Sequence, residues 1–119
     1  MNYLIVHALQ ALAESITLVE RNGLDAAMFV QMINDSVFPG PVYGGYGDSI
    51  VRGSYTPAAF STVLGLKDLT LATRAAAESG VYLPTGPVLT DLLTTAVSEV
   101  GEDADWAAIA EITRRRSGA

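Results

Sequence analysis

A single lysine, Lys67, stands in the apolar run Phe60-Ser61-Thr62-Val63-Leu64-Gly65-Leu66-Lys67-Asp68-Leu69, with an aspartate beside it. A charge among leucines and valines is costly to desolvate unless it is paired or faces a polar cleft. A lysine–aspartate pair in that setting is a candidate functional site. The same spacing fits an amphipathic helix whose ion pair simply faces water, because structural ion pairs are common. In the first reading the ammonium attracts an anion. In the second it is half of a solvated surface pair.

Other chemistry is sparse. The 119 residues contain no cysteine and one histidine, His7. Disulfides, thiolate catalysis and a zinc site built from several histidines or cysteines are thereby excluded, and no metal site is expected. His7 falls on an apolar helical segment and reads as a packed or interface residue rather than a base. Nothing in the sequence places a serine or threonine beside it as a nucleophile. The acids Glu99, Glu102, Asp103 and Asp105 gather around a helix end and a loop, and read as solvated caps. The formal net charge of −6 disfavours a role in neutralising phosphate backbones. The one basic cluster, Arg114-Arg115-Arg116, fits the carbonyl end of a last helix better than a nucleic-acid patch, having no interleaved aromatics. No apolar stretch reaches the length of a membrane span, and no basic region precedes the first apolar residues. With the absence of cysteine, this makes a cytoplasmic location the natural expectation.

The elements that must position these residues are helical. Half the residues are hydrophobic, enough for one domain, 1–119, with a real core. Leu9, Leu12, Ile16 and Val19 form a stripe on a helix from about Tyr3 to Arg21, stopped by Asn22-Gly23. Asn2 is a possible N-cap, although the apolar pattern starts at once. Asp25 caps a second helix from Ala26 to about Asn34. A breaker region follows, Phe38-Pro39-Gly40-Pro41 and Gly44-Gly45-Tyr46-Gly47, read as a mobile or closely packed connection. No strand precedes these glycines, and neither G-x-G-x-x-G nor a Walker sequence is present, so a phosphate loop is not indicated. Asp48 to Arg52 fits a short helix. The run from Phe60 enters a long helix that reaches about Glu78 and ends at Ser79-Gly80. Pro87 opens the next helix, with Leu89, Leu92, Leu93, Ala96, Val97 and Val100 on its apolar stripe. Asp105 caps a final helix bearing Trp106, Ile109, Ala110 and Ile112. No strand alternation is visible. The predicted architecture is an all-α bundle of five or six helices.

In order and spacing these features resemble the C-terminal helical domain of the β-hydroxyacid dehydrogenases. That family includes 3-hydroxyisobutyrate dehydrogenase and glyoxylate/succinic semialdehyde reductase, and is related to 6-phosphogluconate dehydrogenase. Asn2 through Gly23-Leu24 resembles the family's long helix, with Glu14 in its polar position. Phe60, six residues, then Lys67-Asp68 resembles its F-x6-K-D element, followed by Leu71-Ala72 and by Val81 and Pro84. Gly101 through Asp105-Trp106 resembles its glycine-and-acid turn ending in D-[FW], with approximate spacing.

The resemblance implies a parent that joins a Rossmann domain to these helices. Such a parent moves hydride between NAD or NADP and a small hydroxyacid or semialdehyde. Asn2 matches an asparagine four residues after the family's catalytic lysine, which would fall before Met1. The Rossmann domain is likewise absent from this chain. By resemblance Asn2 contacts substrate or orients that lysine, Phe60 borders the nicotinamide pocket, and Lys67 and Asp68 line the cleft between domains. The isolated chain is expected to have no dehydrogenase activity and to self-associate as a homodimer. Substrate identity and the choice between NAD and NADP are not legible. A free-standing helical interaction module is the rival from another class. An imine-reductase relative shares the architecture.

Overall fold

Helical periodicity decides where the core lies. In α1 (Asn2–Arg21), Val6, Leu9, Leu12, Ala13 and Ile16 recur every three or four residues and are all buried. Burying each large aliphatic side chain contributes roughly 1.5–3 kcal/mol. α1 is therefore the central rod of the bundle. It stops at Asn22 and Gly23, where φ of +71° is the left-handed conformation that glycine adopts without a steric penalty. The computed structural model describes residues 1–118, and the elements below are drawn from them.

Asp25 caps α2 (Ala26–Asp35) by accepting a hydrogen bond from the Met28 amide at 3.1 Å. The breaker region that follows is wound rather than loose. Pro41–Tyr46 forms a π-helical turn that runs directly into α3 (Gly47–Arg52). The chain lies so close to α2 here that a Cβ on Gly47 would sit 2.8 Å from Val30.

α4 (Thr62–Ser79) begins two residues later than the apolar run implies. The Ser61 side chain caps it by accepting from the Leu64 amide at 3.3 Å, leaving Phe60 outside the helix. The reason is tertiary. The Phe60 carbonyl accepts from the Trp106 amide at 2.8 Å, and the Thr62 amide donates to the Ala104 carbonyl at 2.8 Å. Residues committed to that crossing cannot also close a helical turn.

Asp105 governs the crossing. One carboxylate oxygen accepts from the amides of Ala59 and Phe60 at 3.0 and 3.1 Å, and the other accepts from Ala107 at 2.8 Å. Asp105 is thus a buried cap, not a solvated one. A carboxylate taken out of water requires such donors, and three backbone amides supply them.

α5 (Gly86–Glu99) carries Pro87 in its first turn and buries Leu89, Leu92, Leu93 and Ala96. A 3₁₀ turn, Trp106–Ala108, then leads into α6 (Ile109–Arg116). α6 packs on α1, and α4 on α5. Among the described residues there are six α-helices and no strand, only an isolated antiparallel bridge between Ser61 and Asp105. The all-α bundle expected from periodicity is the fold.

Candidate functional site

The start of α1 meets the middle of α4. There the side-chain amide of Asn2 donates to the Asp68 carboxylate at 2.6 Å, joining residues 66 positions apart. Asn2 is not the N-cap of α1. Met1 holds that position, without a side-chain hydrogen bond, and the Asn2 side chain is directed across to α4. Both members of the pair are half-buried. A charged acceptor makes this bond stronger than a neutral one, and it fixes which end of the amide faces α4.

Lys67 and Asp68 form no ion pair with each other. Successive residues on a helix point about 100° apart, so Asp68 turns toward α1 while Lys67 turns to solvent. Lys67 has no ion-pair partner among the described residues. Its surroundings are unusual for an exposed lysine. Val63 and Leu64 lie one turn before it and Leu71 one turn after, each more than 40 % exposed. Arg74 follows two turns on, also exposed and also unpaired among the described residues. The outer face of α4 is thus apolar with two free cations, on a chain whose net charge is negative. Arg74 was not singled out from sequence, although its i+7 spacing from Lys67 was a usable signal.

Phe60 is fixed by other contacts. Its ring lies edge-on to Trp106 with centroids 4.7 Å apart, partly buried against the core. Gly65 brings α4 down onto the same indole: a Cβ there would approach Trp106 Cε3 to 2.8 Å. Trp106 thereby sets both the position of Phe60 and the depth at which α4 carries residues 67 and 68.

His7 is held between its own helix and the link before α5. Its Nδ1 bonds the Tyr3 carbonyl at 2.7 Å, its Nε2 bonds Thr85 Oγ1 at 2.6 Å, and the Tyr3 ring meets it edge-on. This is the packed histidine expected, with a threonine partner that the sequence did not disclose.

A second polar cluster lies among α1, α3 and α6. Arg114 donates to Glu20 at 2.9 Å, to Glu111 at 2.6 Å and to the Ile50 carbonyl at 2.7 Å, while Tyr55 donates to Glu111 at 2.6 Å. Burial raises the Tyr55 pKa, reinforced by its hydrogen bond to Glu111 and that residue's charge. Burial alone would also raise Glu111. The hydrogen bonds from Tyr55 and Arg114 and the positive charge of Arg114 outweigh it, and the carboxyl is held below its ordinary value. Arg115 pairs with Glu99 and Arg116 with Asp91, both on α5. All three arginines are thus tied to neighbouring acids, and the cluster staples α6 in place.

A nicotinamide dinucleotide is an anion with flat rings and an amide. The free cations on α4 and its exposed leucines fit such a group in charge and in polarity.

Comparison with known proteins gives the family and the fold. Residues 1–113 match the family model described as NAD-binding of NADP-dependent 3-hydroxyisobutyrate dehydrogenase. The chain is 35% identical over 109 residues to the uncharacterized oxidoreductase YfjR of Bacillus subtilis, covering 92% of this chain and 38% of that protein. It is 25% identical over 114 residues to glyoxylate/succinic semialdehyde reductase 1 of Arabidopsis thaliana, covering 96% of this chain and 39% of that protein. Among solved structures, 3-hydroxyisobutyrate dehydrogenase (ygbJ) of Salmonella typhimurium superposes with a TM-score of 0.83 at 22% identity, covering 93% of this chain and 39% of that one. The Mycobacterium tuberculosis 3-hydroxyisobutyrate dehydrogenase, solved with L-serine, gives 0.75 at 28%, covering 95% and 40%. The chain therefore spans about two-fifths of the length of the relatives it matches. With nearly all of its residues inside the family model, the chain belongs to the NAD-binding family of the NADP-dependent 3-hydroxyisobutyrate dehydrogenases.

Proposed function

We propose that this chain is the helical half of an NAD(P)-dependent dehydrogenase or reductase acting on a small β-hydroxyacid or semialdehyde, and that it forms one wall of the active-site cleft. The observation that carries this reading is the Asn2–Asp68 hydrogen bond beside the unpaired Lys67. It gathers polar groups from the two family-like motifs at one place, next to an apolar face suited to a flat ring. Names of relatives point the same way, since the matched proteins include a glyoxylate/succinic semialdehyde reductase and a 3-hydroxyisobutyrate dehydrogenase solved with L-serine.

When bound, the nicotinamide supplies or accepts the hydride. The residues of this chain bind and orient. Lys67, with Arg74 two turns along, holds the anionic charge of cofactor or substrate. Leu64 and Leu71 shield the ring from water, and Phe60, packed on Trp106, supports the start of α4 that carries them. Asn2 contacts the substrate or the proton-transferring group that the family supplies from one turn upstream. Self-association as a dimer uses the exposed apolar stripe of α1, Leu4, Ala11 and Leu18, with Val37 and Phe38 beside it.

The test is a hydride-transfer assay with NAD and NADP against short hydroxyacids and semialdehydes. It is run on this chain and on the protein read from its complete reading frame. Turnover by the longer protein alone is expected. Turnover by the isolated chain, or none by either, overturns the reading. Light scattering that shows a monomer at high concentration overturns the dimer.

A further inference from the structure

We infer that Asp68 is a positioning residue that acts through Asn2, and that it makes Asn2 a hydrogen-bond acceptor toward the cleft. This rests on the active-site reading above and names what that site receives. The carboxylate of Asp68 only accepts, so the Asn2 group bonded to it at 2.6 Å is the NH₂ end. The amide is planar, with its nitrogen and oxygen about 120° apart around the carbonyl carbon. Tying Nδ2 to α4 turns Oδ1 away from α4, and no donor among the described residues reaches it. The chain therefore presents a fixed acceptor at the start of α1, and its complement is a donor.

Two donors suit the reading, the hydroxyl of a hydroxyacid or a lysine ammonium one helical turn upstream. A carbonyl has only lone pairs and is repelled there. With the hydroxyl as donor, the site discriminates the reduced, hydroxyl-bearing partner from the oxidised one through a residue that never exchanges a proton; with the ammonium as donor, it holds that group in place. Without Asp68 the amide is free to rotate by half a turn and offer NH₂, and the preference is lost.

A double-mutant cycle on kcat/KM in the full-length protein tests this. Asp68→Ala is expected to lower kcat/KM on the order of tenfold, the scale for a misplaced orienting group. In an Asn2→Ala background the same change is expected to cost almost nothing. Asp68→Asn keeps an acceptor oxygen but gains an NH₂ that can bond the Asn2 oxygen instead, so the amide is no longer locked and only part of the loss is expected back. Additive losses would show that the carboxylate acts directly on cofactor or substrate, full activity in Asp68→Asn would show that locking the amide is not needed, and either would overturn the inference. Two further readouts separate the donors. If the hydroxyl is the donor, Asn2→Ala raises KM for the hydroxyacid more than for the carbonyl and leaves the pH profile in place. If the ammonium is the donor, it shifts the pH profile of kcat/KM. Either effect supports the acceptor role of Asn2, and an Asn2→Ala variant that shows neither overturns it.

The side-chain amide signals of Asn2 in ¹H–¹⁵N spectra of the present chain report on the bond without turnover. Two well-separated protons are expected, merging toward free-amide positions in Asp68→Ala. Free-amide positions in the unsubstituted chain overturn the inference even if the full-length protein is an active dehydrogenase. Separated protons with no turnover overturn the active-site reading instead, and the inference with it.

Discussion

Two sets of positive charge sit on this molecule, one closed into ion pairs and one left open. Arg114, Arg115 and Arg116 stand out in the sequence, yet every one is tied to an acid of a neighbouring helix. Lys67 and Arg74 are isolated in the sequence, and both face outward from α4 without a partner among the described residues. The contrast teaches that charge available for binding is what remains after the bundle has closed its own ion pairs. Density along the chain is a poor guide to it. Pairing is a tertiary property, and only the fold reveals which cations are left over.

The largest predicted effect breaks the staple side of this contrast. Arg114→Ala strands Glu111 and Glu20 and removes the donor from the Ile50 carbonyl. It is expected to cost about 2–3 kcal/mol, less than a fully buried pair because the arginine is partly exposed. A urea titration monitored by circular dichroism reads it as a lower midpoint.

Gly65→Ala comes next and tests the support beneath Lys67. The added methyl meets Trp106, so overpacking of about 1–3 kcal/mol outweighs a gain of about 1 kcal/mol in helix propensity. A net loss is expected, with a change in Trp106 fluorescence.

The third prediction concerns pH. Glu111 has a depressed pKa in the folded state, so its contribution is present above the unfolded value, about 4.3, and lost as pH falls through the folded one. Glu111→Gln is expected to flatten that acid limb while lowering stability at pH 7. Tyr55 runs the other way. Its raised pKa gives a contribution that is full below about 10 and lost as pH rises further, and Tyr55→Phe removes that alkaline loss.

The smallest effect sharpens the comparison most. Lys67→Ala touches no internal partner and is expected to change stability by less than about 0.5 kcal/mol. In the full-length protein it is expected to weaken dinucleotide or substrate binding severalfold, read as a raised KM. A stability loss on the scale of Arg114→Ala would show that Lys67 belongs to the staples after all.

Much of this was legible from residue pattern. The stripe of α1, the Asp25 and Asp105 caps and the opening proline of α5 follow from local rules of spacing and hydrogen bonding. The elements that were not legible are those decided across the chain. Ser61 begins α4 because residues 60–62 bond to 104–106, a contact that no local window contains. Pro41–Tyr46 is wound where Gly44 and Gly47 lie against Asn34 and Val30 of α2, contacts made across the chain. At the candidate site, spacing singled out Lys67 and Asp68, and resemblance added Asn2 and Phe60. The partner of Asp68 was misread as the adjacent lysine, since neighbours in sequence are not neighbours around a helix.

The knot at Asp105 has a consequence for how such a domain is tuned. The position of α4 is pinned from the opposite end of the polypeptide, by three main-chain donors meeting one carboxylate. Adding or deleting a residue between 101 and 105 would slide that anchor and carry the ammonium of residue 67 with it, leaving every group of the candidate site chemically untouched. Descendants of one ancestor can therefore re-aim the same side chains by editing a short connector remote from them.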